Sequence, residues 1–308
     1  MGCFCGKESL SVDGRRFFIK QRLGEGGFSY VDLVEDAQTH KTYALKRIVC
    51  HSKEEEQVAL QEVKIMREIN HPNVIPLECY SMHEVNYQSK ALDITCELFL
   101  VIPVYKKGTL QDRIDTLRLK GEQYSEDQIW TLMMGICKGV KALHDHKPPF
   151  AHRDLKPDNV MTEEDGTPVV MDLGSAAVAR VEIKTARDAS SLQDLAAERC
   201  SMLYRAPELF TVETNSSVDE RTDIWSLGCV LYALAFLESP FESPYQRGDS
   251  LALATMAAKI TFPENSGYSK KIPDTISWML KPKAEERPFI DQVIERIHSI
   301  QHEEENRV

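Results

Sequence analysis

The chain has 308 residues, 42% of them hydrophobic and 28% charged, with 48 acidic against 37 basic side chains and a net charge of −11. A chain this acidic is not built to hold nucleic acid or an anionic lipid surface by charge alone. No apolar run reaches the roughly 18 residues of a membrane span, and the opening residues lack a secretory apolar stretch. The eight cysteines are therefore expected as free thiols in a reducing compartment. Six of them are scattered without a C-x-x-C pair, which argues against a zinc site.

In chain order, short β-branched or aromatic runs separated by turn residues predict strands over 17–23, 30–34 and 42–48. A helix is predicted over 54–69, with Val58, Glu62, Ile65, Met66 and Ile69 on one face, and His71-Pro72-Asn73 ends it. Strands over 75–80 and 98–104 follow. Beyond Gly108-Thr109 the pattern turns mainly helical, over 110–119, 125–144, 223–237, 251–259, 272–280 and 290–302. The expected fold class is α+β, a small β-rich lobe leading into a larger helical lobe.

Several segments carry chemistry. Leu23-Gly24-Glu25-Gly26-Gly27-Phe28-Ser29-Tyr30-Val31 is a glycine-rich turn between two predicted strands, which lets backbone amides approach a phosphate closely. It is not a Walker A loop, and alone it could be only a tight turn. Lys46 lies in the next alternating strand. Glu62 falls on the apolar face of the following helix, where a carboxylate needs a cation, and Lys46 is the nearest candidate. Ala151-His-Arg-Asp-Leu-Lys-Pro-Asp-Asn-Val160 then packs polar residues between apolar ones, and Asp172 follows a β-type apolar run. The oxygens of Asn159 and Asp172, completed by phosphates and water, suit Mg²⁺. Each segment alone could be a polar loop; the ordered set is a phosphoryl-transfer signature.

On these residues the sequence resembles the eukaryotic protein kinases over about residues 17–300. Further matches are Ala206-Pro207-Glu208, Asp223-Ile-Trp-Ser-Leu-Gly228 and Arg287-Pro288. Within the kinases, Lys147-Pro-Pro-Phe-Ala-His-Arg-Asp154 and the activation segment ending Ser191-Leu-Gln-Asp-Leu-Ala-Ala-Glu-Arg-Cys200 resemble the Numb-associated family. The resemblance implies a bilobal kinase fold over 17–300, with an N-lobe at 17–102, a hinge at 103–106 and a C-lobe at 107–300. It leaves 1–16 as an N-terminal appendage and 301–308 as a tail.

It also implies roles. Leu23, Gly24, Gly26, Gly27, Phe28 and Ser29 would cover ATP, with Val31 and Ala44 sandwiching the adenine and Ile102, Pro103 and Tyr105 docking its edge. Lys46, oriented by Glu62, would hold the phosphates, and Asn159 and Asp172 would hold Mg²⁺. Asp154 would aim the substrate hydroxyl and Lys156 would steady the γ-phosphoryl group. Arg153, Ser201, Glu208, Asp223 and Arg287 take structural or regulatory places. The loop's third glycine is replaced by Ser29, and the middle of the family's Asp-Phe-Gly by Leu173. Neither change removes Lys46, Asp154 or Asp172, one of which a pseudokinase would be expected to lose.

Lys156 resembles serine/threonine kinases, and Ser201 stands where such kinases carry a residue touching Asp154 and Lys156. Arg153 is a candidate partner for a phosphorylated side chain, with Thr185, Ser190, Ser191 and Ser201 as the candidate sites. The alternative is a permanently formed helix over 191–199 with Ser191 as N-cap.

Residues 1–16 explain themselves as an anchor. Gly2, exposed by removal of Met1, begins a myristoylation motif that departs from consensus at Gly6. One acyl chain holds a membrane only marginally, and Cys3 and Cys5 supply a second signal by palmitoylation. The expected partners are protein substrates and, through the acyl chains, the cytoplasmic face of a membrane, the resemblance pointing to the Golgi, with some protein in the cytosol. No nucleic-acid partner is expected. An acylated nucleotide-binding scaffold and a dual-specificity kinase remain as other readings.

Overall fold

The computed structural model describes residues 8–25, 29–84 and 94–305. Contacts divide the chain into two compact units, Met1–Asn70 with Ile75–Tyr105, and His71–Val74 with Lys106–Val308.

The first unit is a six-stranded antiparallel sheet and one helix. Its strands are β1 (Ser9–Val12), β2 (Arg15–Glu25), β3 (Ser29–Asp36) and β4 (Thr42–Cys50); helix α1 (Lys53–Glu68) precedes β5 (Cys79–Glu84) and β6 (Cys96–Pro103). The sheet order is β1-β2-β3-β4-β6-β5. One face closes over a core of Val12, Phe17, Val34, Tyr43, Leu45, Cys79, Phe99 and Val101. Helix α1 starts on Ser52, whose side chain accepts the Glu55 amide, and Glu54, Glu55 and Glu56 complement the positive end of its dipole.

Two differences from the sequence reading appear in this unit. Residues 9–12 fall in the expected appendage, yet they pair with β2, and Val12 is fully buried. The connection is Asp13-Gly14, both at positive φ (50° and 73°), the two-residue pair that suits a tight hairpin. The strand expected over 75–80 lies later, at β5, where pairing with β6 starts at Cys79. Pro76, the second residue of the expected run, has no N–H to donate to a ladder.

The second unit is mainly helical. In order it holds α2 (Leu110–Lys120), α3 (Glu126–His144), β7 (Phe150–Ala151), β8 (Val160–Thr162), β9 (Pro168–Val170), β10 (Ala177–Val178), β11 (Val181–Ile183) and α4 (Ala186–Arg199). These are followed by β12 (Ser216–Val218), α5 (Arg221–Phe236), α6 (Glu242–Gln246), α7 (Leu251–Ala257), α8 (Lys271–Met279) and α9 (Ile290–Glu305). Every residue of α5 from Thr222 to Ala235 is buried, so α5 is the central helix of the core. α8 packs on α5 and α9 on α3. The helix α9 carries on through 301–305, the start of the expected tail, past the buried Ile297 and Ile300.

His71–Val74 belongs to this unit because its backbone is stitched into it. Val170 N donates to Asn73 O at 2.9 Å and Asn73 Nδ2 donates to Pro168 O at 2.8 Å. Gly139 of α3 lets that segment come close, since a Cβ there would lie 2.4 Å from Asn73 O. Among the described residues, no helix is long and apolar enough to cross a membrane.

Candidate active site

In the first unit the register decides what shares a face. Val31 pairs with Lys46, Ala44 with Ile102, and Lys46 with Leu100. Directly paired residues point to the same side, so Val31, Ala44, Lys46 and Ile102 line one face of the sheet. Lys46 Nζ donates to Glu62 Oε1 at 2.9 Å and Oε2 at 3.2 Å. Their side chains are only 16% and 4% exposed, so the pair is a largely desolvated one and removal of either partner would strand the other. Leu23 is exposed, Gly24 is open around its Cα, and Ser29 begins β3 opposite Ile48. Pro103 and Tyr105 are half-buried. Gly26, Gly27 and Phe28 lie outside the described residues, as do Gly2, Cys3 and Cys5.

In the second unit, the loop between β7 and β8 hangs from one carboxylate. Asp223, at the start of α5, is fully buried and accepts His152 N at 2.7 Å, Arg153 N at 2.9 Å and His144 Nε2 at 2.9 Å. Burial works to raise the Asp223 carboxyl, but the His144 hydrogen bond, the electrostatics of the neighbouring histidines and the Arg153 amide outweigh it and keep the group below its ordinary range. His152 extends the brace. Its Nδ1 accepts the Asp154 amide at 3.2 Å, so Nε2 is the nitrogen that donates to Met171 O, at 2.9 Å.

Around Asp154 the side chains converge. Asn159 Nδ2 donates to Asp154 O at 2.8 Å and Oδ2 at 3.0 Å, and Ser201 N donates to Oδ1 at 2.7 Å. Lys156 Nζ sits 3.5 Å from Asp154 Oδ2 and donates to Ser201 Oγ at 2.7 Å. The amide nitrogen of Asn159 is thus committed to Asp154, which leaves its carbonyl oxygen for another partner. Asp172 leads into a turn at Leu173–Ser175 with φ 59°, and Arg153 has φ 67°. Left-handed backbone at non-glycine residues stores strain and concentrates at functional sites. Carboxylate and amide oxygens are the donors a hard divalent cation takes. No group of three or more His, Cys, Asp or Glu suited to a metal occurs among the described residues, so a cation on Asn159 and Asp172 would need phosphate and water oxygens as well.

Three regulatory expectations change. Arg153 is buried, at 7% exposure, and donates to Val178 O at 3.0 Å, so its guanidinium is not presented to a phosphate on the surface. The expected helix over 191–199 begins earlier: α4 starts after Thr185, whose side chain and Asp188 form a reciprocal capping box. Ser191 is therefore an exposed position inside the helix, and Ser190 Oγ donates to Asp194 Oδ2 at 3.3 Å. The hydroxyl of Ser201 is engaged by Lys156. Downstream, Glu208 and Arg287 form a double hydrogen bond at 2.7 Å each.

His144 has no role legible in the sequence; its only local signal is a polar residue closing an apolar helical stripe. Tyr204 and Asp158, close in sequence to Ser201 and Asp154, likewise carry no distinguishing local signal. The six cysteines among the described residues are free and buried.

The family model for the protein kinase domain matches residues 17–298. The chain is 41% identical over 299 residues to serine/threonine-protein kinase 16 of Homo sapiens, covering 97% of this chain and 95% of that one. It is 30% identical to the serine/threonine-protein kinase ppk13 of Schizosaccharomyces pombe, with 94% and 91% covered, and 29% identical to the serine/threonine-protein kinase ENV7 of Saccharomyces cerevisiae, with 95% and 94% covered. The match spans both units and every motif that the polar loops carry: the chain belongs to the protein kinase family, and the Numb-associated group fits it.

Proposed function

We propose that this chain, a serine/threonine protein kinase, works at the cytoplasmic face of a membrane to which N-terminal acylation holds it, and that it also phosphorylates itself. The observation that carries the phosphoryl-transfer reading is the convergence of Asn159, Lys156 and Ser201 on Asp154, with the Ser201 amide at 2.7 Å from its carboxylate. Such a frame holds one carboxylate oxygen in place to receive a substrate hydroxyl, and positioning of this kind supplies much of the rate in phosphoryl transfer.

The parts divide as follows. Lys46, held by Glu62, receives the negative charge of the nucleotide phosphates. Val31 and Ala44 cover the adenine, and Ile102, Pro103 and Tyr105 border it, with the Pro103 carbonyl and Tyr105 N–H as its hydrogen-bonding groups. Asp154 accepts the hydrogen bond of the substrate hydroxyl and orients it. Lys156 offsets charge on the group being transferred. ATP supplies the phosphoryl group, and Mg²⁺, for which Asn159 and Asp172 offer suitable oxygens, neutralises charge between phosphates. Gly2 with Cys3 and Cys5 gives the two acyl signals that stable anchoring needs, and the Golgi is the proposed membrane.

The test compares wild type with Asp172→Asn for transfer of labelled phosphate from ATP to a generic protein substrate and to the kinase itself. Loss of a charge-stabilising group of this kind costs roughly 10²–10³ in rate. If wild type transfers no more than the variant, the chain is a nucleotide-binding scaffold. Labelling with alkyne-myristate and alkyne-palmitate checks the anchor: Gly2→Ala should lose both labels, and a Cys3→Ser/Cys5→Ser double variant only palmitate. An unlabelled wild type would remove the membrane reading and leave the kinase one standing.

A further inference from the structure

The exposed side of α9 carries a set of polar groups that the phosphoryl-transfer reading does not use. Asp291, Glu295, His298 and His302 follow one another at spacings of four, three and four residues, so they form one stripe along the helix. The opposite side is fixed in the core, where Val293 and Ile297 are fully buried and Ile300 nearly so. Helix α8 holds α9 from the flank. Arg296 Nε donates to Thr275 Oγ1 at 2.9 Å, its guanidinium lies 5.0 Å from the centre of the Trp278 ring, and Lys271 Nζ donates to Ile300 O at 3.5 Å. The backbone is therefore pinned on both sides of His298.

His298 and His302 are both exposed, and their rings approach to 4.3 Å between centroids at an interplanar angle of 70°. Residues four apart on a helix are surface neighbours. This is also the spacing of the two histidines that bind zinc from the helix of His-Glu-x-x-His proteins. The surroundings favour a cation. Glu295, one turn before His298, is exposed and has no ion pair among the described residues. His302 lies in the last turn of α9, at the negative end of the helix dipole.

We infer that His298 and His302 form a binding site for a divalent transition-metal ion of the Zn²⁺, Ni²⁺ and Cu²⁺ class. Imidazole nitrogen selects these ions over Mg²⁺, which takes oxygen, so the site differs in chemistry from the oxygens of Asn159 and Asp172. No third His, Cys, Asp or Glu completes the pair among the described residues. A closed structural zinc site takes four protein ligands. This one is open, with water in the remaining positions and the ion free to exchange. An ion shared by residues one turn apart ties the end of α9 together.

The test is isothermal titration calorimetry of the untagged full chain with Zn²⁺, Ni²⁺ and Mg²⁺, in the Cys3→Ser/Cys5→Ser background so that these two thiols add no site. One Zn²⁺ or Ni²⁺ ion should bind per chain, and an excess of Mg²⁺ should not displace it. His298→Gln and His302→Gln should each weaken binding roughly tenfold or more, since loss of even an outer partner of a metal ligand costs that much. The double variant should lose the site. Both positions are exposed, so the metal-free melting temperatures of the variants should match that of wild type, and the lost affinity is then not a lost fold. Cu²⁺ is the tightest binder of the series. Electron paramagnetic resonance with one equivalent of it should show two coordinated nitrogens in wild type and one in either single variant. No saturable binding of Zn²⁺ or Ni²⁺, unchanged affinity in the double variant, displacement by Mg²⁺, or a Cu²⁺ spectrum without nitrogen ligands overturns the inference.

Discussion

Arg287 and Arg153 are both buried arginines of the second unit, at 3% and 7% exposure, yet they are held in opposite ways. Arg287 uses every donor it has. Nε reaches Lys281 O, Nη1 reaches Glu208 and Arg221 O, and Nη2 reaches Glu208 and Pro282 O, with Trp225 stacked 5.1 Å away. Among the described residues the Arg153 side chain makes one hydrogen bond, to Val178 O, and its Nε has no partner. Burial pulls its guanidinium below the usual arginine value, against the weaker pull of Cys200 and Asp223. Beside it lies a cavity of about 10 Å³, lined also by Arg199 and Cys200 and about the size of one water. A fully satisfied buried charge fixes a fold; an under-satisfied one is kept at a cost and marks a place where something other than stability decides the residue.

The largest expected effect breaks the satisfied site. Arg287→Ala leaves Glu208 and three backbone carbonyls without their donor, and should cost about 3–5 kcal/mol of stability. Arg287→Lys keeps the charge but cannot reproduce the five-donor fork, and should fall between wild type and Ala. Arg153→Met, which fills similar space with an apolar chain, should cost less than about 1 kcal/mol or even stabilise, because it removes an incompletely paired charge. Urea midpoints of the three variants decide this. Equal losses at Arg153 and Arg287 would mean that counting donors does not separate the two roles.

A smaller effect concerns the helix that covers Arg153. Thr185 caps α4, so Thr185→Ala should cost about 1 kcal/mol, while Ser191→Ala, at an exposed interior position, should stay within about 0.5 kcal/mol of wild type. The same chemical-denaturation curves read both. A larger loss at Ser191 would restore the shorter helix expected from the sequence.

That helix shows where sequence reading stops. Thr185-x-x-Asp188 and Ser191-x-x-Asp194 are both hydroxyl-x-x-acid signals, and nothing local ranks them. The choice comes from packing: Ala189, Leu192, Ala196 and Cys200 form one buried stripe against Leu209 and Val212, and the stripe needs the earlier turn. The Asp154 loop was legible because polar residues crowd between apolar ones over a few positions. The pairing of Lys46 with Glu62 was legible because a carboxylate on an apolar helical face demands a cation. Neither the burial of Arg153 nor the attachment of His71–Val74 to the helical unit has a local signal, since both depend on partners far along the chain. The β1–β2 hairpin did have one, in Asp13-Gly14, but it stood in a segment that looked like an appendage.

A third arginine sharpens the contrast at the surface. Arg15 donates through Nε and Nη2 to Asp36 Oδ2 at 3.0 and 2.8 Å, and its side chain is 31% exposed. Asp36 is also held by the amides of Gln38 and Thr39 at 2.8 and 2.9 Å. The Thr39 amide first, and Arg15 second, bring its carboxyl from 3.8 down to about 2. A carboxyl lowered on folding stabilises the fold above its unfolded value, and that contribution is lost as pH falls through the window from about 4 to about 2. Wild type should therefore lose thermal stability more steeply than Asp36→Asn across that window, and the two should run parallel above pH 5. Salt then separates the causes. At 1 M ionic strength the screening length is about 3 Å, which weakens the half-exposed Arg15 pair but leaves the backbone amides as they are. A steep wild-type loss that persists in salt assigns the effect to the turn at Gln38 and Thr39. One that disappears assigns it to Arg15, and places this arginine nearer to Arg287 than its exposure suggests.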